Sequence, residues 1–114
     1  MTETSFSPAA LDDLKGIASY VSHELGSPRA ALETIDRIVS KAEGLSTFPR
    51  RGAPLDSICP VHSDYRFVAC EGWMLFYWVE GETPVVARIL WGSSDYVRVL
   101  FAGAPQGSPD PGSD

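Results

Sequence analysis

Along the first half of the chain apolar residues recur every three or four positions, and along the second half they crowd into short continuous runs. Leu11, Leu14, Ala18, Val21 and Leu25 form one helical stripe, and Ala31, Leu32, Ile35, Ile38, Val39 and Ala42 form a second. Each stripe is preceded by a Ser-Pro pair, Ser7-Pro8 and Ser27-Pro28. The serine hydroxyl caps the first free amides, and proline suits the first helical position because no N–H is needed there. Gly26 follows the first stripe as a left-handed stop, and Gly44 closes the second. So short a connection forces the helices into an antiparallel hairpin. Residues 46–57, with Pro49, Gly52 and Pro54, read as a loop.

The periodicity then changes. Asp64–Cys70, Trp73–Val79 and Val85–Trp91 are rich in aromatic and β-branched residues, separated by Glu71-Gly72 and by Glu80–Pro84. A meander of antiparallel hairpins is the simplest pairing. Tyr96–Phe101 is a further apolar piece, strand or helical turn, and the residues before Ser7 offer an edge strand. The predicted class is α+β in the order β-α-α-β-β-β, with the helical hairpin on one face of an antiparallel sheet. Residues 1–102 form the domain. Residues 103–114, dominated by Gly, Pro, Ser and Asp, cannot bury enough surface to offset their ordering and read as a disordered tail.

Alternation assigns Trp73, Leu75, Tyr77 and Val79 to one face of the sheet and Met74, Phe76 and Trp78 to the other. The next strand divides into Val85, Ala87, Ile89 and Trp91 against Val86, Arg88 and Leu90. Both faces are apolar, and one hairpin covers one face. Burying such a side chain is worth about 1.5–3 kcal/mol. The expectation is therefore an apolar patch awaiting a partner chain. The competing expectation is that residues 45–63 and 96–101 fold across it.

The chain has 114 residues, 44% hydrophobic and 21% charged, which fits one ordinary domain. The net charge of −6 argues against gripping nucleic-acid phosphates, so no direct nucleic-acid binding is expected. No apolar run reaches the ~18–20 residues of a membrane span. The N-terminal MTETSFSPAA lacks the basic and apolar regions of a secretion signal, and Cys59 and Cys70 cannot build a disulfide framework. A cytoplasmic location is expected.

Candidate chemistry is sparse. Arg50 and Arg51 are the densest positive pair, suited to a carboxylate partner, and Arg66 with Tyr65 adds to that surface. Arg88 interrupts an apolar strand, where a lone charge is costly; it pairs with an acidic neighbour such as Asp95 or meets a partner. Arg98 follows Asp95-Tyr96 and pairs locally, and His23 faces solvent. Cys59-Pro60-Val61-His62 supplies one ligand pair where a structural metal needs about four ligands, so neither metal nor cofactor is expected. Ser93, Ser94 and Asp95 lack a nearby histidine and a nucleophile elbow. Trp73, Trp78 and Trp91 read as core or interface anchors.

The segments DDLKGIASYVSHELGSPRAALETIDRIV, LSTFPRRGAPL and DYRFVACEGWMLFYWVEGETPVVARILWGSSDY, in that order, resemble the RelE/ParE superfamily of toxins from type II toxin–antitoxin modules over about residues 5–101. The Pro-Arg-Arg-Gly after the second helix and the R-I-L-x-G-x-x-D-Y ending are closer to the ParE side. The resemblance implies a plasmid- or chromosome-borne bacterial toxin held by an antitoxin that wraps over it, with DNA gyrase as target on the ParE side and mRNA in the ribosomal A site on the RelE side. RelE-type cleavage needs cationic groups around the scissile phosphate. Met74 stands where that branch usually has arginine, and Gly92-Ser93-Ser94-Asp95 stands where many relatives have Gly-Arg-Arg-Asp. A binding toxin is therefore expected, with no catalytic residues. Arg50, Arg51, Arg66, Phe76, Trp78, Arg88 and Trp91 are the expected partner contacts. The alternatives are a ribosome-dependent endonuclease and a family member that binds without toxicity.

Overall fold

The computed structural model describes residues 3–58, 63–92 and 98–100. A short strand β1 (Ser5–Phe6) leads into helix α1 (Pro8–Leu25), helix α2 (Pro28–Glu43) and a 3-10 turn at Gly44–Ser46. Strand β2 (Ala53–Pro54) and a second 3-10 turn (Leu55–Ser57) precede β3 (Arg66–Cys70), β4 (Trp73–Glu80) and β5 (Thr83–Trp91). Residues 98–100 are helical.

The α+β class, the helical hairpin and the three long strands stand as expected, with two local differences. The sheet is mixed, because β1 joins β5 in parallel while β2–β3, β3–β4 and β4–β5 are antiparallel. The segment read as a loop contains β2. Gly44 closes α2 as its cap, in a right-handed conformation, and the chain runs on into the 3-10 turn. The tail at 103–114, the Cys59–His62 pair and Ser93–Asp95 lie outside the described residues.

The serines act as the sequence requires. Ser7 Oγ accepts from Ala10 N–H at 3.0 Å, and Ser27 Oγ accepts from Ala30 N–H at 3.1 Å. Gly26 ends α1 in the left-handed conformation, φ 60°. Ser7 also ties the start of α1 to β5: its N–H donates to Val86 C=O at 2.9 Å and its hydroxyl to Ala87 C=O at 2.8 Å. The buried side of each helix is rotated from its stripe. On α1 it runs through Ala10, Asp13, Ile17 and Val21, and on α2 through Ala31, Thr34, Ile38 and Ala42. Leu11, Leu25 and Leu32 are exposed.

The strand order β1-β5-β4-β3-β2 puts the most hydrophobic strand in the middle. Leu75, Tyr77, Val86 and Ile89 face the helices and form one core with Ile17, Ile38 and Leu45. A register shift lies between Phe76, opposite Arg88, and Tyr77, opposite Val86. Ala87 is thus an extra residue, and this bulge re-aims the strand so that simple alternation fails beyond it.

The outer face corrects the main expectation. Phe76, Leu90 and Leu55 are fully buried there and packed by Tyr65, Phe67, Met74, Val99 and Leu100. The segment around the second 3-10 turn and the helical piece at 98–100 close the face. At its centre the chain covers its own sheet, as the competing expectation held.

Candidate partner-binding cleft

The Pro-Arg-Arg-Gly segment is pinned by its backbone. Tyr77 Oη donates to Pro49 C=O at 2.8 Å and accepts from Gly52 N–H at 2.9 Å. Arg66 Nη1 donates to Arg50 C=O at 3.2 Å and Gly52 C=O at 2.7 Å. Only glycine fits at position 52, because a Cβ there would stand 2.6 Å from Tyr77 Oη and 2.8 Å from the Phe67 carbonyl oxygen. Burial pushes the Tyr77 phenol above its ordinary pKa, with the Gly52 hydrogen bond and the charges of Arg66 and Arg51 acting against it. Position and charge are thus both set by the fold.

This pinning brings Arg50, Arg66 and Trp78 to one cleft of about 690 Å3, completed by Pro54, Ser63, Asp64, Tyr65 and Val79. Tyr65 stands edge to face with Trp78, ring centroids 6.0 Å apart, and burial raises its phenol pKa. The Trp78 indole N–H donates to Glu80 at 3.3 Å. Arg51 is exposed beside the cleft, its guanidinium carbon 5.7 Å from the Phe48 ring centroid. Among the described residues, Arg50, Arg51 and Arg66 have no ion pair with an acid. Guanidinium groups next to aromatic walls can receive a carboxylate and an apolar side chain together.

The other expected contacts lie elsewhere. Phe76 has no exposed surface and packs inside the outer core of its own chain. Arg88 pairs with Asp13 on α1 through Nε–Oδ2 at 2.7 Å and Nη2–Oδ1 at 2.8 Å, and Asp95 lies outside the described residues. The side chains are 14% and 4% exposed, so this ion pair is internal. Asp13 Oδ2 also accepts from Ile89 N–H at 2.9 Å, where β1 has ended and β5 would otherwise lack a partner. Trp91 is half exposed and opposite Trp73, five residues along β4 from Trp78, or roughly 16 Å away.

The sequence joined Arg66 and Tyr65 to the Arg50–Arg51 surface, and the structure adds Trp78 to the cleft through the β3–β4 pairing. Sequence reading missed Asp13, although an acid within the Ala10–Ile17 spacing was a visible signal. Met74 packs in the outer core. Among the described residues no group of three or more His, Cys, Asp or Glu could hold a metal ion, and no helix is long and apolar enough to cross a membrane.

No curated protein matches the sequence. Among solved structures, a chain described as "Chromosomal ParDE TA system from P. aeruginosa" shares the fold, with a TM-score of 0.67 and 24% identity over 80% of this chain and 96% of that one. The family model for the ParE toxin of type II toxin–antitoxin systems, parDE, matches residues 5–96, which include both helices, the pinned Pro-Arg-Arg-Gly segment and all five strands, and the chain belongs to that family.

Proposed function

We propose that this ParE-family chain is a toxin that acts by gripping other proteins, with a cognate antitoxin as its first partner and DNA gyrase as its target. Both encounters place it in the cytoplasm. The observation that carries the reading is the cleft of Arg50, Arg66 and Trp78, whose arginines have no acidic partner among the described residues. An acidic segment carrying one apolar side chain would fill it, the carboxylates between Arg50, Arg51 and Arg66 and the apolar group on Trp78. Phe76 backs this surface through its packing with Tyr65 of the cleft wall. The antitoxin holds the toxin inactive by occupying surface that the target needs.

The test is induced expression with and without the neighbouring reading frame. Growth arrest with SOS induction and filamentation, relieved by the neighbour and accompanied by a co-purifying complex, is the expected result. Arrest with rapid loss of translation and cut mRNA overturns the gyrase target in favour of an endonuclease. A complex without any growth defect overturns toxicity and leaves a binding protein. Arg50→Glu with Trp78→Ala is expected to weaken the complex while the chain keeps its fold.

A further inference from the structure

The turn that carries Arg50 is held at both of its ends from another part of the chain. Phe48–Arg51 closes as a four-residue turn, in which the Arg51 N–H donates to Phe48 C=O at 3.0 Å. Pro49 takes its second position, where a fixed φ is favourable, and Arg50 its third. The Arg50 side chain lines the cleft but has no hydrogen bond or ion pair of its own among the described residues. Its place there follows from its backbone.

Two side chains hold that backbone. Arg66 is one, and it lines the cleft as well. Tyr77 is the other. Its single hydroxyl takes the residue before the Arg50-Arg51 pair and the residue after it, donating to Pro49 C=O and accepting from Gly52 N–H. The Tyr77 ring is fully buried in the core with Leu75, Val86 and Ile89, and it lines no part of the cleft. Phenylalanine would fill the same core volume, so packing does not account for the hydroxyl. A buried phenol has to find partners, and this one finds both on the turn, 28 and 25 positions away in sequence.

We propose that Tyr77 is a positioning residue for the cleft: it touches no partner, and it sets the cleft's affinity for a carboxylate by holding Arg50 in place. The inference rests on the reading of the cleft as the seat of an acidic segment. A guanidinium on a fixed turn binds without first being ordered, whereas one on a loose turn loses that freedom on binding. Without the hydroxyl, Pro49 C=O and Gly52 N–H lose this common partner, and the turn is free to carry Arg50 away from Arg66 and Trp78.

The experiment titrates the full chain with the blocked peptide acetyl-Glu-Leu-Glu-amide and with acetyl-Gln-Leu-Gln-amide, which keeps the shape and loses the charge. The Trp78 indole N–H signal, assigned by its loss in Trp78→Phe, reports binding by NMR at a temperature where every variant is fully folded. The parent is expected to bind the acidic peptide more tightly than the neutral one, and Tyr77→Phe to bind it about three- to tenfold more weakly. Arg50→Ala is also expected to weaken binding. The double variant Arg50→Ala with Tyr77→Phe is expected to match Arg50→Ala alone, because the hydroxyl acts through that side chain. Ile38→Val, which loosens the same core away from the turn, is expected to keep the parent's affinity. Parental affinity in Tyr77→Phe, effects that multiply in the double variant, or an equal loss in Ile38→Val overturns the positioning role and leaves the cleft reading standing. Equal binding of the two peptides by the parent, or binding of neither, overturns the cleft reading and the inference with it.

Discussion

Replacing Asp13 with alanine removes three hydrogen bonds at once: two from the Arg88 guanidinium and one from the Ile89 amide. The acid is 4% exposed at its side chain and the arginine 14%, so water does not step in. Breaking a buried ion pair by deleting one partner costs about 3–5 kcal/mol. The stranded Ile89 N–H accounts for about 1–3 kcal/mol of this. For a domain of this size the melting temperature should fall by at least about 12 °C. The double replacement Asp13→Leu with Arg88→Met behaves differently, because apolar groups can take the place of a buried pair at little net cost. Of the groups bonded to Asp13, the Ile89 amide is then the one left without its acceptor, and the double variant should lose about 1–3 kcal/mol on that account, less than Asp13→Ala alone. Urea unfolding followed by tryptophan fluorescence and circular dichroism measures both. The reasoning fails if Asp13→Ala stays within about 1 kcal/mol of the parent, or if the double variant is as unstable as the single one.

Tyr77→Phe removes the donor to Pro49 and the acceptor for Gly52, and should cost about 1–3 kcal/mol at neutral pH in the same assay. Because burial raises the folded pKa of Tyr77 above 10.0, its contribution is complete below that pH and declines as pH rises toward the folded value; Tyr77→Phe should flatten this alkaline loss, leaving the shares due to Tyr65 and the Cys70 thiol. Gly52→Ala drives a Cβ against the Phe67 backbone carbonyl, which cannot retreat as a side chain would, and should lower stability by about 1–3 kcal/mol in a thermal melt. Phe76→Ala should cost about 3–5 kcal/mol of folding stability, whereas Trp78→Ala should change stability less and weaken a co-expressed partner's binding in calorimetry by about 2 kcal/mol.

The elements whose signals are local were legible in the sequence. Ser7-Pro8 and Ser27-Pro28 start helices because capping needs only neighbours in sequence, and the aromatic runs become strands for the same reason. What escaped depends on residues far apart. Asp13 and Arg88 are separated by 75 positions, and each looks anomalous alone but is satisfied with the other. The bulge at Ala87 breaks the alternation that assigned faces to β5, and no local composition marks it. Leu55 and the Val99–Leu100 pair close the outer face from opposite ends of the second half of the chain, so counting helices underestimated the available cover. In the cleft, the shared surface of Arg50, Arg51 and Arg66 was legible, but the place of Trp78 beside it was not. Arg50 reaches Arg66 through the pairing of β2 with β3, and Trp78 joins them from β4.

The two outermost strands are stubs of two residues each, and they flank a sheet whose central strand opens with the seven residues WMLFYWV before its closing Glu80. A segment so apolar, without proline or charge, is the type that stacks into fibrils when laid bare. Folding places it where both of its sides are already occupied, and the stubs give an incoming chain little ladder to extend. The hazard therefore belongs to the unfolding route: dilution from denaturant should lose more protein to precipitate as concentration rises, while the native chain at the same concentration stays dispersed.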